Sequence, residues 1–327
     1  MLNRRRFISL TAASLAAPSI VSSSAFAQAW PAKPVRIIVP FPPGGATDVT
    51  ARLVGARLQE VWGQTVVIEN KGGAGGNIAA DMAAKADADG YTLFIVGPGQ
   101  ATNKFLYASL TYDPVADFAP VSLLIKQPNI MCVPNTSTAK SVKEFIEFCN
   151  ANKGKVSYAS SGNGTTLHLG GELFKRLAKV EMTHVPYRGA GPAMNDFLPG
   201  RVDVIFDNAP SILPHVKANS CRALAVTPLK RIPAAPELPT IDESGVPGFD
   251  VTSWFAFFYQ AKTPPEIIAK VNADTRAALE HPSVKNRLLE LGAEPSGTTP
   301  EGLAAHLKAE MDKWGPVITD AKIRIEN

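Results

Sequence analysis

Residues 35–58 read VRIIVPFPPGGATDVTARLVGARL: a β-branched run that breaks on prolines and glycines, then resumes with helical periodicity. Val35 to Phe41 has the composition of a buried strand. Beyond the break, Val54, Leu58 and Val61 recur at helical spacing. The link between them, PFPPGGATD at 40–48, carries a single charge. Glycine between a strand and a helix suits a phosphate loop, a dinucleotide turn or a helix end that takes a carboxylate. The rest of the chain has to choose among them.

The same layout returns at 156–177, VSYASSGNGTTLHLGGELFKRL: strand, glycine turn, threonine, helix. From the first turn glycine to a closing Arg-Leu, the spans Gly44 to Leu58 and Gly162 to Leu177 nearly match. Leu169, Leu173 and Leu177 give the second helix its apolar stripe. Strand-like TVVIEN, DGYTLFIVG, PNIMCVP, MTHVPY, RVDVIF and CRALAVT alternate with helix-like NIAADMAAKA, SVKEFIEFCNAN and GPAMNDFLPG. The C-terminal part, PEIIAKVNADTRAALEH to EGLAAHLKAEMDKW, reads as helical, with Pro264-Pro265 at a helix start. This rhythm predicts an α/β fold of two lobes with mostly parallel sheets. Each lobe opens a helix from a glycine turn at the carboxyl end of a strand.

The first 27 residues read as an export signal. A basic start, MLNRRRF, leads into the apolar ISLTAASLAAPSIV, and Ala25 and Ala27 provide a small-x-small cleavage site before Gln28. Arg4-Arg5 with Phe7-Ile8 fits either an ordinary basic leader or a twin-arginine signal. Arg4, Arg5 and Arg6 supply three of the 33 Lys and Arg residues, and no acidic residue precedes Gln28. From there on thirty basic residues face 29 acidic ones, a net charge of +1 rather than the +4 of the whole chain. A field so weak gives no general attraction to nucleic acid or to an anionic membrane. No later segment reaches the roughly 18 apolar residues of a membrane span. Cys132, Cys149 and Cys221 lack CxxC spacing and read as small buried apolar groups.

Enzyme motifs fail when tried. G-x-G-x-x-G meets Thr102 after Gly97-Pro98-Gly99 and Leu167 after Gly162-Asn163-Gly164, and NKGGAGGN at 70–77 misses the spacing. There is no G-x-x-x-x-G-K-[ST] and no H-E-x-x-H, and no metal or cofactor is expected. A secreted serine hydrolase using Ser160 or Ser161 with His168 is the rival from another class, although the glycine-flanked nucleophile elbow is missing. His184 falls on a predicted strand as a structural residue. Asp48 suits the first helical turn, pairing with Arg52.

The glycine turns themselves point to anion binding. The first N–H groups of a helix lack partners and carry partial positive charge, so they attract an anion without lysine or arginine. Two such ends, one per lobe, suit an acid with two charged ends, and Thr47 and Thr165 add hydroxyls. In open α/β sheets ligands sit beyond the carboxyl ends of strands, here near Phe41, Gly97, Ser160, Tyr187 and Asp207.

PFPPGGATD, ENKGGAGGN, DGYTLF, YASSGNGTTLHLGGELF, HVPYRGAGPAMNDFLPGRVD, RALAVT and PTIDESG, in this order, closely resemble the receptors of tripartite tricarboxylate transporters. These are the Bug-type or TctC-type periplasmic solute-binding proteins. The resemblance covers nearly the whole chain after the signal, including WFAFF before Thr263. It implies a periplasmic binding protein fold of type II, two α/β lobes flanking a cleft, with the chain crossing between them twice. The expected lobes are residues 28–130 with 229–327, and residues 131–228. It also implies a periplasmic, non-catalytic and monomeric receptor that delivers a small organic acid to membrane permease subunits. A same-fold sensor for a signalling partner is the third alternative. The resemblance places ligand contacts at Phe41, Pro43, Gly44, Gly45, Ala46 and Thr47 in the first turn. In the second it places them at Ser160, Ser161, Gly162, Asn163, Gly164, Thr165 and Thr166. Weaker carry-overs are Gly97, Pro98, Tyr187, Asp207 and Ala209. Asp207 would either favour a ligand with an amine or hydroxyl, or cap the following segment.

Overall fold

The computed structural model describes residues 30–320 and 323–325. The expected export signal, residues 1–27, lies outside them.

The quoted opening forms β1 (Val35–Val39) and α1 (Ala46–Trp62). On α1, Ala51, Val54, Leu58 and Trp62 are buried, and the helix stops at Gly63, whose N–H reaches the Gln59 carbonyl. β2 (Val66–Asn70) follows, then a 3-10 turn (Ala74–Gly76), α2 (Asn77–Ala84) and β3 (Thr92–Val96). β2 and β3 flank β1 in parallel. α3 (Gly99–Leu106) leads to β4 (Phe118–Pro134), a 17-residue strand.

After α4 (Val142–Ala151), β5 (Ser157–Ser160) and α5 (Thr166–Ala178) repeat the opening unit. Gly170-Gly171 in mid-helix has a steric reason: a Cβ on Gly171 would collide with the Tyr158 ring, so α5 can lie against β5 only without a side chain there. Next come β6 (Thr183–Pro186), α6 (Ala190–Phe197), β7 (Val204–Asn208), α7 (Ala209–Lys217) and β8 (Cys221–Val226). β6 and β7 flank β5 in parallel. β9 (Thr252–Gln260), α8 (Pro265–Glu280), α9 (Pro282–Glu290), the short β10 (Glu294–Pro295) and α10 (Pro300–Asp320) complete the described chain.

The strands form one sheet in the order β2-β1-β3-β9-β4-β7-β5-β6, with β8 and β10 also paired to β4. It is an α/β fold, as expected, yet the parallel pairing is confined to the two outer triplets. β4 and β9 between them run antiparallel to their neighbours. β4 is shared: residues 118–128 pair with β9, and residues 129–134 with β7 and β8. One half has its core around Val35, Ile37, Leu93 and Phe257, the other around Tyr158, Phe174, Phe206 and Phe249. Ile241, Val246 and Val251 pack in the second of these. α10 bridges the halves, with Leu303 and Leu307 beside Phe94 and Trp254, and Trp314 and Ile318 beside Phe174. Cys132, Cys149 and Cys221 are buried and unbridged.

Candidate functional site

The carboxyl ends of β1, β3, β5 and β7 meet around one narrow cavity of about 50 Å3. The halves touch across it. Thr102 Oγ1 donates to the Gly164 carbonyl at 3.3 Å, and the Pro42 ring packs on Gly189.

Asp48 holds the first turn in shape. Its carboxylate accepts from the Gly44 N–H, from Arg52 Nε and from Asn70 Nδ2, each at 3.0 Å, while Asn70 also donates to the Phe41 carbonyl at 2.8 Å. Burial alone would raise this carboxyl, but the hydrogen bonds from Arg52, Gly44 and Asn70 outweigh it and hold the pKa below the usual value. Asp48 is thus an ionised strut that faces away from the cavity. Gly45 caps α1 without a side-chain acceptor, so the first-turn N–H groups of Ala46 and Thr47 stay open toward the cavity they line.

The second turn is built differently. Thr165 Oγ1 donates to the Gly162 carbonyl at 2.7 Å and accepts from the His168 N–H at 3.4 Å, and the Gly164 N–H donates to His168 Nδ1 at 3.2 Å. The Thr166 and Leu167 N–H groups remain at the start of α5, and both residues line the cavity. Pro98 and Gly99 at the start of α3, Ala190 of α6 and Asn208, the cap of α7, add three more helix starts to the same wall. The lining holds no Asp, Glu, Lys, Arg or His. Positive potential there comes from backbone alone, each helix end contributing about 0.3–1 kcal/mol to a nearby anion and up to about 2 when partly buried.

Of the residues expected at the site, Phe41, Gly45, Ala46, Thr47, Gly97, Pro98, Ser161, Gly164, Thr165 and Thr166 line this cavity. Pro43, Gly44, Gly162 and Asn163 shape the turns behind it, Gly44 through its bond to Asp48. Tyr187 points elsewhere, its hydroxyl donating to Asp196 at 2.8 Å. Ala209 packs toward Gly292. Asp207 is wholly buried behind the lining, where its Oδ1 accepts from the Asn208 N–H at 2.8 Å, and burial pushes its carboxyl up to about 6.

Ser160 is fully buried and off the cavity, its Oγ 2.6 Å from His184 Nε2. The partner is therefore His184 rather than His168. His184 stacks between Tyr158 and His168, with ring centroids 4.8 Å and 4.2 Å away. Burial lowers His168 to about 4 and His184 to about 3, so both rings are neutral near pH 7.

Sequence reading missed other lining residues: Gly75 and Gly76 in the 3-10 turn, Gln100 and Asn103 on α3, Tyr112, Asn208, and Ser253 and Phe255 on β9. The GxG-like start of α3, the NKGGAGGN run and WFAFF marked those segments without placing them at the site. Among the described residues, no group of three or more His, Cys, Asp or Glu is placed to hold a metal, and no helix is long and apolar enough to cross a membrane.

Comparison with known proteins places this geometry in a family. The family model described as "Tripartite tricarboxylate transporter family receptor" matches residues 50–323. A structure of an R. palustris protein with adipate is 42% identical, covering 90% of this chain and all of that one, with a TM-score of 0.88. The periplasmic binding protein BugD is 34% identical over 90% of this chain and all of its own, at a TM-score of 0.87. MatC from Rhodopseudomonas palustris, solved with bound malate, is 34% identical over 88% of this chain and 99% of its own, at 0.84. The chain belongs to the tripartite tricarboxylate transporter receptor family, the TctC- or Bug-type periplasmic solute-binding proteins.

Proposed function

We propose that the protein captures a small di- or tricarboxylate between two lobes and delivers it to the membrane subunits of a tripartite transporter. The observation that carries this is a cavity without any charged side chain, faced by helix starts from both halves. Carboxylates are held by the open N–H groups of Ala46 and Thr47 on one side and of Thr166 and Leu167 on the other. Two of the similar structures hold the dicarboxylates adipate and malate, which supports the same class here. Closure is a hinge motion about the strands that link the lobes. One crossing lies in β4 near Pro128 and Asn129. The packing of Ile241, Val246 and Val251 with the second core supports drawing the return after Val251 rather than at 228.

Titration calorimetry of the purified protein against succinate, adipate, citrate and their monocarboxylate and amide counterparts tests this. Tight binding of at least one di- or tricarboxylate, lost when the carboxyl ends become amides, is the expected result. Equal binding of the amides, or none of any acid by folded protein, would overturn it.

A further inference from the structure

One wall of the cavity is chemically unlike the rest. Gln100 and Asn103 stand three residues apart on one face of α3, and both line the cavity with side chains 1% and 3% exposed. Gln100 Nε2 donates to the Pro114 carbonyl at 2.6 Å. A carbonyl only accepts, so this bond fixes the orientation of the amide and leaves Gln100 Oε1 as the group without a partner. Asn103 Nδ2 donates to Asn77 Oδ1 at 2.6 Å, and the Tyr112 hydroxyl donates to that same oxygen at 2.8 Å. Asn103 Oδ1 is then also unpaired, as is Oδ1 of Asn208 at the start of α7.

Buried acceptors without donors are costly unless a ligand supplies the hydrogens. A carboxylate cannot, because it has only lone pairs to offer and belongs at the helix starts of α1 and α5. An ammonium group has donors, but no carboxylate lines the cavity: Asp207 lies behind it, with Oδ1 on the Asn208 N–H and Oδ2 unpaired, and the surrounding helix starts are positive. A hydroxyl supplies one hydrogen, enough for one of these acceptors, without bringing in a charge.

We infer that this wall selects a carboxylic acid bearing a hydroxyl group, whose one hydrogen goes to Gln100 Oε1 or to Asn103 Oδ1. The inference rests on the carboxylate reading above and adds a substituent to it.

The test uses acids that differ only at that substituent: citrate against tricarballylate, malate against succinate and aspartate, and 2-hydroxyglutarate against glutarate and glutamate. For the set whose length fits, the hydroxy acid binds about 10–100-fold more tightly than its deoxy and amino counterparts, the range expected when a buried polar group would otherwise go unpaired. Gln100→Leu or Asn103→Leu, whichever removes the acceptor, brings the ratio of hydroxy to deoxy affinity down toward one. Thermal unfolding of each variant confirms that it is folded, and the wild-type ratio stands without either variant. If deoxy acids bind as well as hydroxy acids, the inference fails and the carboxylate reading stands. Preference for the amino acids overturns the assignment to a hydroxyl, and a ratio that persists in both variants overturns the assignment to this wall. Failure of every acid overturns both.

Discussion

Gly164 offers a substitution whose two effects separate local strain from closure of the cleft. Its φ is +78°, a region that costs an L-residue about 1–2 kcal/mol. That cost arises within the second turn whether the lobes are open or closed, so it lowers stability without touching affinity. An alanine methyl there would also stand 2.8 Å from Leu106 Cδ1 and 2.9 Å from Asn103 Oδ1, both on α3. On the hinge motion proposed above, only the closed form suffers that contact. Leu106 can yield by rotation, whereas Asn103 is held by Asn77. Overpacking of this kind costs about 1–3 kcal/mol, which lowers affinity roughly 5- to 150-fold. For Gly164→Ala, thermal unfolding without ligand should show a fall of several degrees, at about 2–4 °C per kcal/mol for a chain somewhat smaller than this one. Calorimetry with the best-binding acid should show the larger loss. A variant that unfolds earlier but binds with wild-type affinity would refute the closeness of α3 and this turn in the bound state.

Three further outcomes follow. Asp48→Ala leaves the Gly44 N–H, Arg52 and Asn70 without their shared acceptor, and should cost about 1.5–3 kcal/mol in urea unfolding together with a marked loss of acid binding. Because hydrogen bonding holds the Asp48 pKa below its unfolded value, its contribution is full above about pH 4 and disappears as the pH falls through the folded value, so wild type and variant should converge in strong acid. His168 and His184 run the same way: with folded values near 4 and 3, they stay neutral while the unfolded chain takes up protons below about 6.5. Stability should therefore drop as pH falls from 7 to 5, by up to about 1.4 kcal/mol per unit per histidine, and urea curves that do not move would contradict the burial of this stack. Leu58→Ala, beneath α1 and far from the helix start, should cost about 2–5 kcal/mol and leave ligand affinity unchanged in protein that remains folded.

The two strand–turn–helix units were legible because every local signal agreed: branched residues, then glycine, then helical spacing. α3 was not, since Gly97-Pro98-Gly99 looked like a failed nucleotide motif and the residues after it are polar although buried. A buried polar face cannot be told from a solvated one by pattern, and that face carries Gln100 and Asn103. Only the far end of β4 was visible, because Pro120, Lys126 and Pro128 interrupt its apolar run. With β4 cut short and β9 not assigned as a strand, the antiparallel centre of the sheet stayed hidden. At the end of β7 the sequence offered Asp207 as the charged residue, yet the backbone turns Asn208 to the cavity and Asp207 behind it. Strand alternation does not say where a strand's last side chain points.

The most direct measurement is a crystal structure of the protein with its tightest-binding acid. Carboxylate oxygens should lie within about 3 Å of the N–H groups of Ala46 and Thr47 and of those at the start of α5, with no lysine or arginine in contact. A carboxylate held instead by a basic side chain, or bound outside this cavity, would contradict the claim that helix ends hold the carboxylates.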